Sequence, residues 1–126
     1  CPSAVSQHAA LACFEPESIA EYERRRAEFK ARRDWFIPAL EKIGFKVPVV
    51  PDGAFYAWAD CSAWCEAWGV PSSWEFAFEA MKRANVAISP GRDFGSAETA
   101  RFVRFSTANS MENLQEAIAR LDALRP

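Results

Sequence analysis

Arg104 is the residue of this chain whose type and setting most demand a chemical explanation. It lies in the stretch Val86–Ala108, VAISPGRDFGSAETARFVRFSTA. Alternation predicts a strand over Arg101–Thr107, with Val103, Phe105 and Thr107 on one face and Phe102, Arg104 and Ser106 on the other. A guanidinium set mid-strand among aromatic and β-branched residues is costly to bury unless an anion pairs with it. Its planar fork of donors matches the two oxygens of a carboxylate, or those of a phosphate. The strand therefore either hides an internal ion pair or offers half of a carboxylate site, and the pattern alone leaves both open. Just upstream, Val86–Ser89 reads as another strand. Pro90-Gly91 then signals a turn, and a polar loop containing Phe94 and Gly95 leads back to the Arg104 strand.

Other side chains are weaker candidates. His8 is the single histidine and has no evident acid or base partner, so a chemical role is not assigned to it. Tyr56 has no neighbour that would perturb it and reads as packing. The lysines Lys30, Lys42, Lys46 and Lys82 fall on helix faces or at the start of a strand, where ammonium groups are solvated. The four cysteines are Cys1, Cys13, Cys61 and Cys65, too dispersed and too poor in histidine for a zinc site. They read as reduced thiols of a cytoplasmic protein, with Cys61 and Cys65 close on one helical turn. The run Arg24-Arg25-Arg26 is interleaved with Glu21, Glu23 and Glu28. It reads as a solvated helix face rather than a nucleic-acid patch.

The elements that must position these residues follow from periodicity and punctuation. Cys1–Phe14 is expected to be a short helix capped by Ser3, and residues 15–43 a long helix with Pro16 in its first turn. Ile19, Tyr22, Phe29, Phe36, Leu40 and Ile43 form its apolar stripe, and Pro38 is expected to kink or break it. Gly44 stops that helix. Phe45–Val50 and Ala54–Asp60 read as strands around a Pro51-Asp52-Gly53 turn. Cys61–Val70 is a helical turn marked by Trp64 and Trp68. Ser72 or Ser73 caps a helix to about Asn85, with Phe76, Ala80, Met81 and Ala84 expected on its inner face. Ser110 caps a last helix whose buried side is Leu114, Ala117, Ile118, Leu121 and Leu124. The expected class is α+β, helices packed on a small mixed β-sheet.

A net charge of −2 points away from nucleic acid and anionic membranes, and no apolar run approaches the roughly 20 residues of a spanning helix. A length of 126 residues is one domain's worth. A start at Cys1 rather than methionine is what a fragment or a processed product would show.

Two anchors give the chain a family resemblance. The first is Pro90-Gly91-Arg92-Asp93-Phe94-Gly95 followed by Val103-Arg104-Phe105-Ser106; the second is Pro51-Asp52-Gly53-Ala54-Phe55-Tyr56-Ala57-Trp58-Ala59-Asp60. In this order and spacing they resemble the C-terminal small domain of class I/II, fold-type-I aminotransferases, the aspartate-aminotransferase-like group. Gln7-His8-Ala9-Ala10-Leu11-Ala12 is similar to the helix that follows the large domain in that family. The resemblance implies that residues 1–14 follow an absent large domain, 15–43 link it to the small one, and 44–126 form the small-domain sheet and helices. It implies transfer of an amino group between an amino acid and a 2-oxo acid with pyridoxal 5'-phosphate as cofactor, and a homodimer when full length. Arg104 would hold the substrate α-carboxylate, and Pro90, Gly91, Phe94 and Gly95 would lie near the active site. None of the four lysines matches the family's Schiff-base motif, so this chain is expected to be inactive alone and to bind no cofactor. A stand-alone carboxylate-binding module and a structural α+β domain with an internal Arg104 ion pair are the competing readings.

Overall fold

The computed structural model describes residues 1–125. Ser3 accepts a hydrogen bond from the Ser6 amide and opens α1, Ala4–Leu11. Glu15 and Pro16 open α2, Pro16–Lys42, where the missing proline N–H falls among amides that lack helical partners in any case. α2 runs unbroken through Pro38, so of the expected kink or break the break does not occur. Pro38 lies on the exposed side, where the carbonyl freed by the lost bond can meet water. Gly44 adopts a φ of 101° after the last turn, a conformation that favours glycine.

The stripe of α2 is buried only in its second half. Phe36, Ile37 and Leu40 enter the core, whereas Ile19 and Tyr22 are exposed, as are Val5 and Leu11 of α1 and Phe14. Periodicity identified the apolar face of the helix but not where its cover ends.

After α2 come β1 (Tyr56–Asp60), α3 (Ser62–Trp68), α4 (Ser73–Ala84), β2 (Ser89–Pro90), β3 (Phe102–Ser106) and α5 (Met111–Asp122). The three strands lie in the order β1-β3-β2 and both seams are antiparallel, so the α+β class stands but the sheet is not mixed. The expected strand Phe45–Val50 is reduced to one bridge, Lys46 to Asp60. Pro48 cannot donate to a ladder, and Val49 and Val50 are exposed beyond it. The Val86–Ser89 strand likewise shortens to Ser89–Pro90, paired with Arg104 and Val103.

The core gathers on one face of this sheet. Ala57 and Ala59 of β1 and Val103 and Phe105 of β3 point into it, with Phe36, Leu40, Phe45, Trp64, Phe76, Leu114 and Leu121 from the surrounding segments. Phe45 stacks on Trp64 at 5.2 Å and meets Phe105 edge-on at 5.1 Å. The Trp64 indole N–H donates to the Ile43 carbonyl at 3.1 Å, so its one polar atom is satisfied in a fully buried position. In α4, capped by Ser72, Met81 faces outward; Phe76, Ala77, Ala80 and Ala84 make the inner face. Ser110 caps α5 through the Asn113 amide, as expected.

Candidate functional site

The face of the sheet away from the core carries Tyr56, Trp58 and Asp60 on β1 and Phe102, Arg104 and Ser106 on β3. Strand alternation puts Ala57, Ala59, Val103 and Phe105 inside and leaves these six outside. Arg104 is on the central strand. Trp58 is its partner on one side and Ser89 on the other.

The guanidinium of Arg104 is half-buried and lies against two aromatic rings. Its Cζ is 4.1 Å from the centroid of Tyr56 and 4.2 Å from that of Phe94. Among the described residues no carboxylate comes within 4.0 Å of it, and none of its N–H groups has a hydrogen-bond acceptor. Arg92 is the other arginine without an ion pair among the described residues; it is exposed and lies over Trp74. The remaining arginines are engaged. Arg101, three residues before Arg104, reaches Glu98 at 3.1 Å and Asp60 at 3.7 Å. Of the two readings the sequence left open, the internal ion pair has no partner here.

Phe94 reaches Arg104 from a short 3-10 turn, Gly91–Phe94, rather than from an open loop. Gly91 is needed there for closeness of approach. A Cβ on it would stand 2.3 Å from the Thr99 carbonyl oxygen and 2.5 Å from that of Phe102. Gly95 ends the turn at a φ of 142°, in the region that favours glycine. Pro90 closes the short strand beside Val103. The turn proposed from sequence and the arginine are thus brought together by one side chain, Phe94.

Sequence reasoning missed Tyr56 and Trp58. Tyr56, read as packing, lies on Arg104, and Trp58 meets Phe94 edge-on at 5.8 Å while stacking on Phe102 at 5.5 Å. The signal was present: Tyr56 and Trp58 are two apart in a strand and must share a face. Their proximity to Arg104 needed the β1–β3 register as well.

The other candidates stay outside. His8 is exposed on α1. Lys30 pairs with Asp34 and Lys82 with Glu79, each on its own helix; Lys42 ends α2, and Lys46 bridges Asp60 through its backbone. Exposed Lys46, between buried Phe45 and Val47 and paired with Asp60, is the one lysine on the sheet face that carries Arg104, but it stands at the outer edge of β1, with that strand between it and β3. The described residues contain no cluster of three metal-ligating side chains and no helix long and apolar enough to cross a membrane. A groove of about 410 Å³ beside α5 is lined by Phe36, Phe105 and Leu114 and shares no residue with the Arg104–Tyr56–Phe94 group.

Comparisons with known proteins identify the family of the chain. Residues 1–121 match the family described as aminotransferase class I and II. The chain is 34% identical over 126 residues to valine–pyruvate aminotransferase of Mycobacterium tuberculosis, covering 100% of this chain and 31% of that protein. It is 39% identical over 122 residues to aspartate aminotransferase of Bacillus sp. YM-2, covering 96% of this chain and 30% of the relative. A crystal structure of an aminotransferase from Mycobacterium tuberculosis superposes with a TM-score of 0.88 at 35% identity, over 100% of this chain and 31% of that one. A Thermus thermophilus aspartate aminotransferase variant gives 0.81 at 33% identity, over 98% and 30%. The chain spans about 30% of the length of these relatives. On sequence and structure together, it belongs to the class I and II aminotransferase family.

Proposed function

We propose that this chain is the substrate-carboxylate-binding part of an aminotransferase that moves an amino group between an amino acid and a 2-oxo acid. One observation carries the reading: Arg104 is half-buried on the central strand, and its donors have no acceptor among the described residues. A bidentate carboxylate satisfies two of those donors at once and fixes the substrate Cα relative to the sheet. Amino acids and 2-oxo acids share that group, so one arginine serves both halves of the reaction.

Pyridoxal 5'-phosphate, the family's cofactor, supplies the aldehyde and electron sink for amino transfer when bound. The one lysine on the Arg104 face, Lys46, is exposed at the outer edge of β1 with that strand between it and Arg104, so these residues do not fit the covalent attachment of that group, and no step through it is assigned to them. We assign that attachment to an upstream large domain of the full-length protein, itself a homodimer; the coverage of only about 30% of the relatives' length supports the larger protein. Exposed Leu11, Phe14, Ile19 and Tyr22 are the apolar surface that a large domain would cover.

The test is kinetic and uses the full-length protein. Arg104→Ala is expected to lower kcat/KM for every amino-acid substrate by about 100-fold or more, the loss of a charged bidentate contact. Arg104→Lys is expected to recover only part of it, because an ammonium lacks the fork. Unchanged kinetics in Arg104→Ala would overturn the proposal.

A further inference from the structure

The two rings against Arg104 come from separate elements, and each is braced from behind. Tyr56 is on β1, where its register opposite Ser106 is set by pairing with the arginine's own strand. Behind it, Phe55 lies 4.5 Å away and packs in turn on Phe29 of α2 at 5.8 Å. Phe94 is delivered by the turn that Gly91 makes possible and is met by the edge of Trp58, itself stacked on Phe102.

A guanidinium on a long flexible stem loses rotamer freedom when it fixes a ligand. Carboxylate partners would restrain it but would consume the donors that a ligand needs. Aromatic rings restrain it differently: the attraction is between the cation and the π face, and no N–H is used. We infer that Tyr56 and Phe94 are positioning residues that hold the Arg104 guanidinium in its binding orientation with its donors left for an incoming carboxylate. The inference rests on the carboxylate-binding reading above and adds to it the means by which the arginine is preorganised.

Its consequence is a split between binding and turnover. Removing one ring lets the side chain sample orientations that do not bind, so the apparent affinity falls by the fraction of time the productive orientation is lost. Chemistry at Cα, once the carboxylate is seated, proceeds as before.

The experiment uses the full-length protein with Tyr56→Leu, Tyr56→Phe, Phe94→Leu and Arg104→Ala. KM for the amino acid and for the 2-oxo acid is measured together with kcat and the thermal midpoint. Tyr56 and Phe94 are 40% and 45% exposed and lie outside the core, so leucine at either site keeps bulk without opening it. Each leucine variant is expected to raise both KM values about 5-fold with kcat within 2-fold and an unchanged midpoint. Tyr56→Phe, which keeps the π face, is expected to recover the parent KM. Leucine variants with parental KM, beside an Arg104→Ala variant that loses substrate binding, would overturn the positioning role and leave the carboxylate site standing. Lowered midpoints with parental KM would assign the rings to structure and also overturn it. An Arg104→Ala variant with parental KM would remove the carboxylate reading itself.

Discussion

The guanidinium carbon of Arg104 lies 4.2 Å from the centroid of Phe94, joining the central strand to the Gly91–Phe94 turn through a cation–π contact. This relationship bears on stability as well as on binding. A buried arginine with an ionic partner costs about 3–5 kcal/mol when the pair is broken. Here the described residues offer no partner to strand, and the guanidinium packs on the rings of Tyr56 and Phe94. Arg104→Met keeps the stem and removes only the cation–π attraction, so a loss of no more than about 1 kcal/mol is expected. Urea unfolding of parent and variant measures it; a loss of 3 kcal/mol or more, on that same scale, would reveal a hidden ionic partner.

Gly91 carries the opposite expectation. The contacts a methyl group would meet at 2.3 and 2.5 Å are backbone oxygens of Thr99 and Phe102, which cannot rotate away. Relief requires the turn to move off β3, and Phe94 moves with it. Gly91→Ala is therefore expected to cost about 3 kcal/mol, at the upper end for overpacking. In the full-length protein it should also raise the amino-acid KM, as is expected of Phe94→Leu. A fully stable Gly91→Ala chain would contradict the packing described here.

Much of this was legible in the sequence because it depended on local rules. Alternation alone separated Val103, Phe105 and Thr107, all buried in the structure, from Phe102, Arg104 and Ser106 on the opposite face, and Ser3, Ser72 and Ser110 cap their helices as short hydroxyl side chains do. What escaped depends on partners distant in the chain. Phe45–Val50 has strand-like residues but faces an edge that Pro48 cannot extend. Met81 has helical spacing from Ala77 and Ala84, yet the neighbouring elements cover the other side of α4. Tyr56 acquires meaning only when β1 is set antiparallel to β3 in a register that periodicity does not encode. The upper half of the α2 stripe shows the same limit, since a hydrophobic face records that something covers it and not what does.

The cysteines divide by accessibility. Cys1 and Cys13 are exposed; Cys61 and Cys65 are buried with their sulfurs 3.7 Å apart. The hydrogen bond shared with Cys65, together with burial, pushes the Cys61 thiol well above the usual thiol range, and its Sγ also donates to the Arg101 carbonyl at 3.3 Å. A neutral, enclosed thiol is a poor nucleophile. An aromatic disulfide reagent is therefore expected to titrate two thiols in the folded chain and four after denaturation. Rapid modification of Cys61 or Cys65 in the folded state would mean that α3 opens readily.

The acid limb of stability should carry a signature of α2. Glu21 is bonded to Arg24 and Arg25, each at 2.7 Å, and these hydrogen bonds hold its carboxyl down at about 2, against an ordinary 4.5. A carboxyl depressed in the folded state contributes stability in full above its unfolded value. That contribution is lost as pH falls through the interval from 4.5 toward 2. Asp34, Glu79 and Glu112 are shifted in the same direction, the first two by cations on their own helices and Glu112 by backbone and Ser110 hydrogen bonds. Because Glu21 and its arginines are solvent-exposed, each pair contributes little and salt screens it. Helicity and thermal midpoint measured from pH 7 to pH 2 should therefore be nearly flat to about pH 5 and then decline. The decline should be shallower in Glu21→Gln, and the difference between the two proteins should shrink in 1 M salt, where the Debye length is about 3 Å. Parallel curves for parent and variant at low salt would show that the Glu21 pairs form without stabilising α2.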